Sequence, residues 1–336
     1  MKTMFERIGG ALVCTLAGCV MHSCVKEDAD VTDMSVAEAD SYEVNISVLS
    51  SGAETRMTDT GNESAVNSLQ IFVFRTDGTL EVYGSAEGSE LSLECTSGER
   101  EFVAIANAGD LSGIKTKAEL ESESSALSEN RAGNLVMSGS AVRTVGQSGD
   151  GAAVQVPITV RRLVAKVSVA GISNRMDSPA YQSIEVKAVY LSNVAGDSGY
   201  LSPGTPQVWL NKLGTQEDEK ALLHSGSLSF RLDKEAFRNI SSHFYCYPNS
   251  TDSDAAGGEW SPRHTRIVVE TVISGKTFYY PVTLPVIEPN HTYEITDIRI
   301  SRLGSTSPDI PVEVGAAQLL VTIKSWEKGT STQIII

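Results

Sequence analysis

The sequence predicts an all-β protein made of antiparallel β-sandwiches. Three observations carry this expectation. Short segments in which apolar and polar residues alternate recur along most of the chain, Gly and Pro punctuate the intervals between them, and neither a strand–helix–strand alternation nor a long amphipathic 3.6-residue period is found. With 336 residues and 41% hydrophobic side chains the chain can bury a sizeable core, and its length suggests two domains. The net charge of -15, from 42 acidic against 27 basic residues, argues against nucleic acid or an anionic membrane face as a partner.

The first segment is a targeting leader, expected over 1-24, rather than part of the fold. Lys2 and Arg7 form its basic end, and Ile8 to Val20 is an apolar run too short to span a bilayer as a helix. The run ends at Met21, His22, Ser23 and Cys24, a pattern that resembles a bacterial lipobox, in which the cysteine thiol is acylated and becomes the new N-terminus. Leu16, Ala17, Gly18 and Cys19 match the lipobox consensus more closely and leave Cys19 as the alternative. Lys26, Glu27 and Asp28 favour Cys24, because a basic residue followed by acids is similar to the signal that sends lipoproteins of Bacteroidales-type bacteria to the outside of the outer membrane. Several acyl chains on one residue hold firmly where a single chain holds marginally. Residues 25-40, rich in acidic side chains, are expected to be a flexible linker.

From Tyr42 the text becomes strands and turns. "YEVNISVL" sets Val44, Ile46 and Val48 on one face against Glu43, Asn45 and Ser47 on the other, the pattern of a half-buried strand. A long polar loop follows, then "LQIFVFR", apolar on both faces, and "TDGTLEVY", whose Asp77-Gly78 is a hairpin signal. "EFVAIANA", "NLVMSGS" and "VQVPITVRRLVAKVSVAG" add strands, while 111 to 130 are acidic, Ser-rich and mildly helical in propensity. The pattern breaks at "AGISNRMDSPA", which places a boundary near 171 between an N-terminal sandwich, 41-171, and a C-terminal one, 172-336. Beyond it, "YQSIEVKAVYLSNV" alternates again, "TRIVVETVISGKTFYYPVTLPV" reads as two strands joined at 274 to 276, and "HTYEITDIRISRL" and "AQLLVTIKSW" complete the set.

Motifs for chemistry are weak. "GDSG" at 196 to 199 resembles the nucleophile region of trypsin-like proteases, but no histidine or aspartate stands in matching context. His22, His224, His243, His264 and His291 are scattered singly, without metal-ligand spacing, and "DSDAAG" at 252 to 257 lacks the later acidic ligand of a calcium loop. No cofactor is expected. Outside the leader only Cys95 and Cys246 remain, too few for a disulfide framework.

A resemblance spans nearly the whole chain. The lipobox leader, "LQIFVFRTDGTLEVY", "FVAIANAG", "NLVMSG", "RRLVAKVSV", "FYCYPN", "NHTYEI" and "LLVTIKSW" stand in the order seen in fimbrillins, the FimA-like pilus subunits of Bacteroidales, although "FYCYPN" departs from the more usual aromatic-x-x-Glu-Asn form. The resemblance implies two transthyretin-like β-sandwich domains in tandem, no enzymatic activity, export as a lipoprotein, and assembly into surface fimbriae used in adhesion and biofilm formation.

The residues suggest how assembly would proceed. Between Lys26 and Arg75 the only basic side chain is Arg56, inside the long polar loop, where an arginine-specific or trypsin-like protease would find an accessible target. Cutting there would free the lipid-bearing segment with Val44, Ile46 and Val48 and uncover a groove of unpaired backbone groups. After Trp326 the chain runs "EKGTSTQIII". Its last residues, Ile334, Ile335 and Ile336, either fold back as a strand of their own domain or insert into another fimbrial subunit by β-strand addition. Arg56 has a plain reading too, as a solvated loop arginine. The alternative function is a surface lipoprotein that stays tethered, as a fimbrial anchor or by binding a ligand such as a glycan through Trp209 and Trp260, both of which can instead be core residues.

Overall fold

In this computed structural model the described residues are 40–51, 62–146, 152–312, 315–325 and 331–335. They form twenty strands, two short α-helices and two single 3-10 turns, Leu127–Glu129 and Lys212–Gly214. The first half contains β1 (Ser41–Ser50), β2 (Ser68–Phe74), β3 (Leu80–Glu87), β4 (Glu90–Thr96), β5 (Gly98–Ala106), α1 (Lys117–Ser122), β6 (Ser124–Ala126), β7 (Met137–Val145) and β8 (Val154–Arg162). The second half contains β9 (Ala165–Asn174), β10 (Ser183–Ser192), β11 (Val194–Ala195), β12 (Asp197–Gly199), β13 (Trp209–Leu210), α2 (Lys220–Leu223), β14 (Phe230–Asp233), β15 (Phe237–Cys246), β16 (Arg266–Ile273), β17 (Lys276–Thr283), β18 (His291–Ile300), β19 (Ala317–Ser325) and β20 (Ser331–Ile335).

Seven strands of the first half hydrogen-bond in the order β3-β2-β5-β7-β8-β1-β4. The sheet folds over where β7 and β8 share only two register pairs, Met137 with Arg162 and Ser138 with Arg161. The inward residues of β1 and β8, Val44, Ile46, Val48, Val156, Ile158 and Val160, then pack against Leu69, Ile71 and Val73 of β2 and Phe102, Ala104 and Ala106 of β5. Gly84 of β3 permits the closure, since a Cβ there would lie 2.6 Å from the Leu93 side chain of β4. α1 begins with a capping box in which Thr116 accepts from the Glu119 N–H while the Glu119 carboxylate accepts from the Thr116 N–H. Asp77 and Gly78 turn the β2–β3 hairpin, with Gly78 at φ 81°.

The second half has a five-stranded sheet, β15-β9-β18-β19-β20, and a four-stranded one, β14-β10-β16-β17. Val167 and Val169 of β9, Ile295 and Ile298 of β18 and Leu319 and Val321 of β19 share a core with Val186, Val189 and Leu191 of β10 and Ile267 and Val269 of β16. Phe72, Phe74, Val103 and Ile105, on the other face of β2 and β5, belong to this same core. That is why "IFVF" and "FVAIA" are apolar without alternation: both faces of these strands are covered. The described residues pack as one unit. The β16–β17 turn stands where the sequence placed it, with Ser274 and Gly275 both at positive φ, 49° and 77°.

Two features differ from expectation. The sheets are not purely antiparallel: β1 runs parallel to β8, and β18 runs parallel to β9. Alternation encodes which face of a strand is buried, not the direction of a neighbour reached by a long crossover. The run 154 to 171 divides at Leu163-Val164, and β9 crosses residue 171 while pairing with β15 and β18. Sheet membership therefore changes between Arg162 and Ala165, because β9 takes its partners from the second half.

Candidate assembly site

The first strand is seated between two neighbours. β1 pairs antiparallel with β4 from Ser41↔Thr96 to Ser47↔Glu90, and parallel with β8 from Val44↔Val154 to Ser50↔Val160. Val44, Ile46 and Val48 are 0%, 2% and 3% exposed, while Leu49 on the opposite face lies open. Alternation put all three on the floor side, and the structure brings all three into one core. Beside the start of the strand, on β4, Cys95 stands opposite Tyr42 and is buried, and burial pushes its thiol up to about 11.

The far end of this seat is polar. Ser50 Oγ donates to Met137 Sδ at 3.3 Å, and the Ser51 N–H extends the ladder to the Val160 carbonyl at 2.8 Å. Arg162, the fourth inward residue of β8 after Val156, Ile158 and Val160, is 2% exposed. Its Nη1 donates to the Ser51 carbonyl at 3.0 Å and to Asn290 Oδ1 at 3.3 Å, its Nε to the Glu63 carbonyl at 3.0 Å, and its Nη2 to Ser64 Oγ at 2.9 Å. Asn290 Nδ2 donates to Ser51 Oγ at 3.1 Å, and the Asn290 N–H to the Val164 carbonyl at 3.0 Å. The Glu63 carboxylate, buried, accepts from Lys166 Nζ at 2.7 Å and from the Tyr245 hydroxyl. Both sides of the loop 52–61 are thereby tied to the same buried group of side chains. This cluster escaped the sequence reading. The available signal was Arg162 itself, a charge at a strand position where alternation calls for an apolar residue.

The terminal strand sits differently. β20 pairs antiparallel with β19 from Lys324↔Ser331 to Leu320↔Ile335 and is the outermost strand of its sheet, with Ile335 73% exposed. Ile334 stands opposite Val321, a core residue. β20 thus folds back onto the chain's own second half in this state.

Cys24, Cys19, Arg56 and Ile336 lie outside the described residues. Trp209 is buried against Trp260, ring centroids 5.8 Å apart, and the Trp260 ring also meets the Lys212 ammonium and the Arg263 guanidinium. Of the two tryptophans considered for a ligand face, Trp209 therefore belongs to the packed interior. Asp197 of "GDSG" accepts the Gln207 and Val208 N–H groups at 2.9 and 2.8 Å, and Asp254 of "DSDAAG" pairs with Arg266 at 2.8 Å. Both aspartates organise loops. Cys246 is buried and unpaired like Cys95, and no group of three or more metal-ligating side chains occurs among the described residues.

The family of the major fimbrial subunit protein FimA matches residues 43–195. Among solved structures, a candidate cell adhesion protein from Bacteroides eggerthii is similar over 88% of this chain and 98% of its own, with a TM-score of 0.61 and 18% identity. A fimbrilin (FimA) from Porphyromonas gingivalis is similar over 85% and 98%, with a TM-score of 0.58 and 17% identity. The tip fimbrial protein Mfa3 from Porphyromonas gingivalis, with C-terminal truncation, is similar over 84% and 100%, with a TM-score of 0.51 and 14% identity. At these identities the likeness establishes the fold. No curated protein matches the chain.

Proposed function

Residues 43–195 belong to the family of FimA major fimbrial subunit proteins, and from that premise we propose that this chain is a non-enzymatic structural subunit of a cell-surface fimbria serving adhesion and biofilm formation. It is exported as a lipoprotein through Cys24, with Cys19 as the alternative, and is tethered to the outer membrane until an arginine-specific or trypsin-like protease cuts at Arg56. The cut separates β1 from the rest, and the vacated seat takes a strand from another subunit. The terminal strand around Ile334, Ile335 and Ile336 is the donor.

The observation that carries this reading is the seating of β1. The strand is paired on both edges and places three side chains in a core built wholly by the chain beyond the loop. Its removal would leave two rows of unpaired backbone groups and forfeit about 5 to 9 kcal/mol of apolar burial, at roughly 1.5 to 3 for each of Val44, Ile46 and Val48. Such a seat cannot remain empty in water, which makes strand loss a drive toward association. One observation favours a second reading, in which the protein stays a tethered, unpolymerised lipoprotein: β20 already pairs with β19 of its own chain.

The test is to express the chain from Val25, treat it with trypsin at low ratio, and follow fragment masses and the size of the remainder. Cleavage after Arg56, followed by SDS-resistant multimers that disappear when residues 327–336 are deleted, is the expected result. A cut protein that stays monomeric selects the tethered reading.

A further inference from the structure

A charge at an inward strand position is tolerated only when its hydrogen-bonding groups are met. Arg162 meets its own on both sides of the loop: Nη1 holds the Ser51 carbonyl behind β1, while Nε and Nη2 hold Glu63 and Ser64 beyond the loop. Asn290, fixed by its own N–H to Val164, adds Nδ2 to Ser51 Oγ. A cut anywhere in 52–61 breaks the peptide chain and none of these bonds.

We propose that Arg162 and Asn290 form a latch on Ser51 that keeps β1 seated after the loop is cut, so that strand release is a separate and slower step than cleavage. The inference takes from the proposed function only that β1 is the strand that leaves. Once Ser51 has gone, two buried donors have lost an acceptor, so a replacing strand has to present one at the same place. That requirement gives an incoming strand a direction. β1 reads Ile46, Val48, Ser50, Ser51 toward the latch; the terminal strand, read backwards, gives Ile336, Ile334, Thr332, Ser331 at the same spacing. It delivers hydroxyls to the latch only when it runs antiparallel to β1.

For the test, residues 54–59 of the chain from Val25 are replaced by the site of a sequence-specific protease, so that cutting does not depend on Arg56. Parent, Asn290→Ala, Ser51→Ala and the double variant are cut to completion, and loss of the N-terminal fragment is timed by size separation and mass. Asn290→Ala and Ser51→Ala should each speed release roughly three- to tenfold, the scale of one buried hydrogen bond. The double variant should release no faster than the faster single one, whereas Val48→Ala, whose side chain makes no hydrogen bond to the latch, should multiply with either. Release rates equal to the parent's, or single effects that multiply in the double variant, overturn the latch. A parent that behaves as expected yet never multimerises keeps the latch and overturns strand exchange; multimers formed at rates blind to these substitutions do the reverse. Ser331→Ala with Thr332→Val should lower multimer yield, and an undiminished yield overturns the direction.

Discussion

The first and the last of the described strands both carry β-branched residues, yet they sit in opposite circumstances. β1 has β8 on one edge and β4 on the other, and its three inward residues are 0% to 3% exposed. β20 has only β19 beside it and carries Ile335 at 73% exposed. The strand that the proposed cleavage would remove is held on both edges and by a buried face, while the strand proposed to replace it is held on one side. Firm seating makes an empty seat costly, and loose seating lets a strand leave its own sheet to fill another. Polymerisation by exchange needs both.

Substitutions can break this comparison. Ile46→Ala should lower the stability of the uncut protein by about 2 to 4 kcal/mol, read from urea unfolding, since it opens a cavity between two packed layers. An effect below about 1 kcal/mol would mean that β1 is not the firmly held strand. A smaller effect is expected from pH. Burial raises the Cys95 thiol to about 11 from an ordinary value near 9, so the unfolded chain loses this proton first. The stability that the neutral thiol contributes is complete below about pH 9 and is lost as pH rises toward 11. Cys95→Ala should flatten that part of the profile, and an unchanged slope would place the loss elsewhere. Ile335→Ala should change stability least, within about 0.5 kcal/mol, as expected for an exposed edge position. A drop like that of Ile46→Ala would show β20 to be as firmly seated as β1 and would count against its release.

The parts of this account that depend on local pattern were open to sequence reading. Val44, Ile46 and Val48 announce their face by period two, and Ser274-Gly275 announces a turn through residues that accept positive φ. What was hidden is long-range. The parallel neighbours of β1 and β18 leave no local mark, and β4 went unread although Leu91, Leu93 and Cys95 alternate within it. Arg162 in "VRRLV" shows locally only a charge at an inward position, not what meets it. Its partners Glu63 and Asn290 stand 99 residues before it and 128 after it, too far for a spacing rule to connect.

Cys95 offers the most direct test of strand exchange. In the protein from Val25 the thiols are Cys95, buried on β4 beside β1, and Cys246, buried in the second half, so each reports on its own region. Reactivity toward a thiol reagent at pH 8 would be followed before the cut, after the cut in a protein lacking 327–336, and in multimers of the cut, otherwise intact chain. Cys95 should be protected at first, reactive once the fragment has left a seat that nothing refills, and protected again in the multimers, with Cys246 silent throughout. A Cys95 that reacts in the multimers, or stays protected after the fragment has left a protein with no terminal strand to donate, would contradict the account.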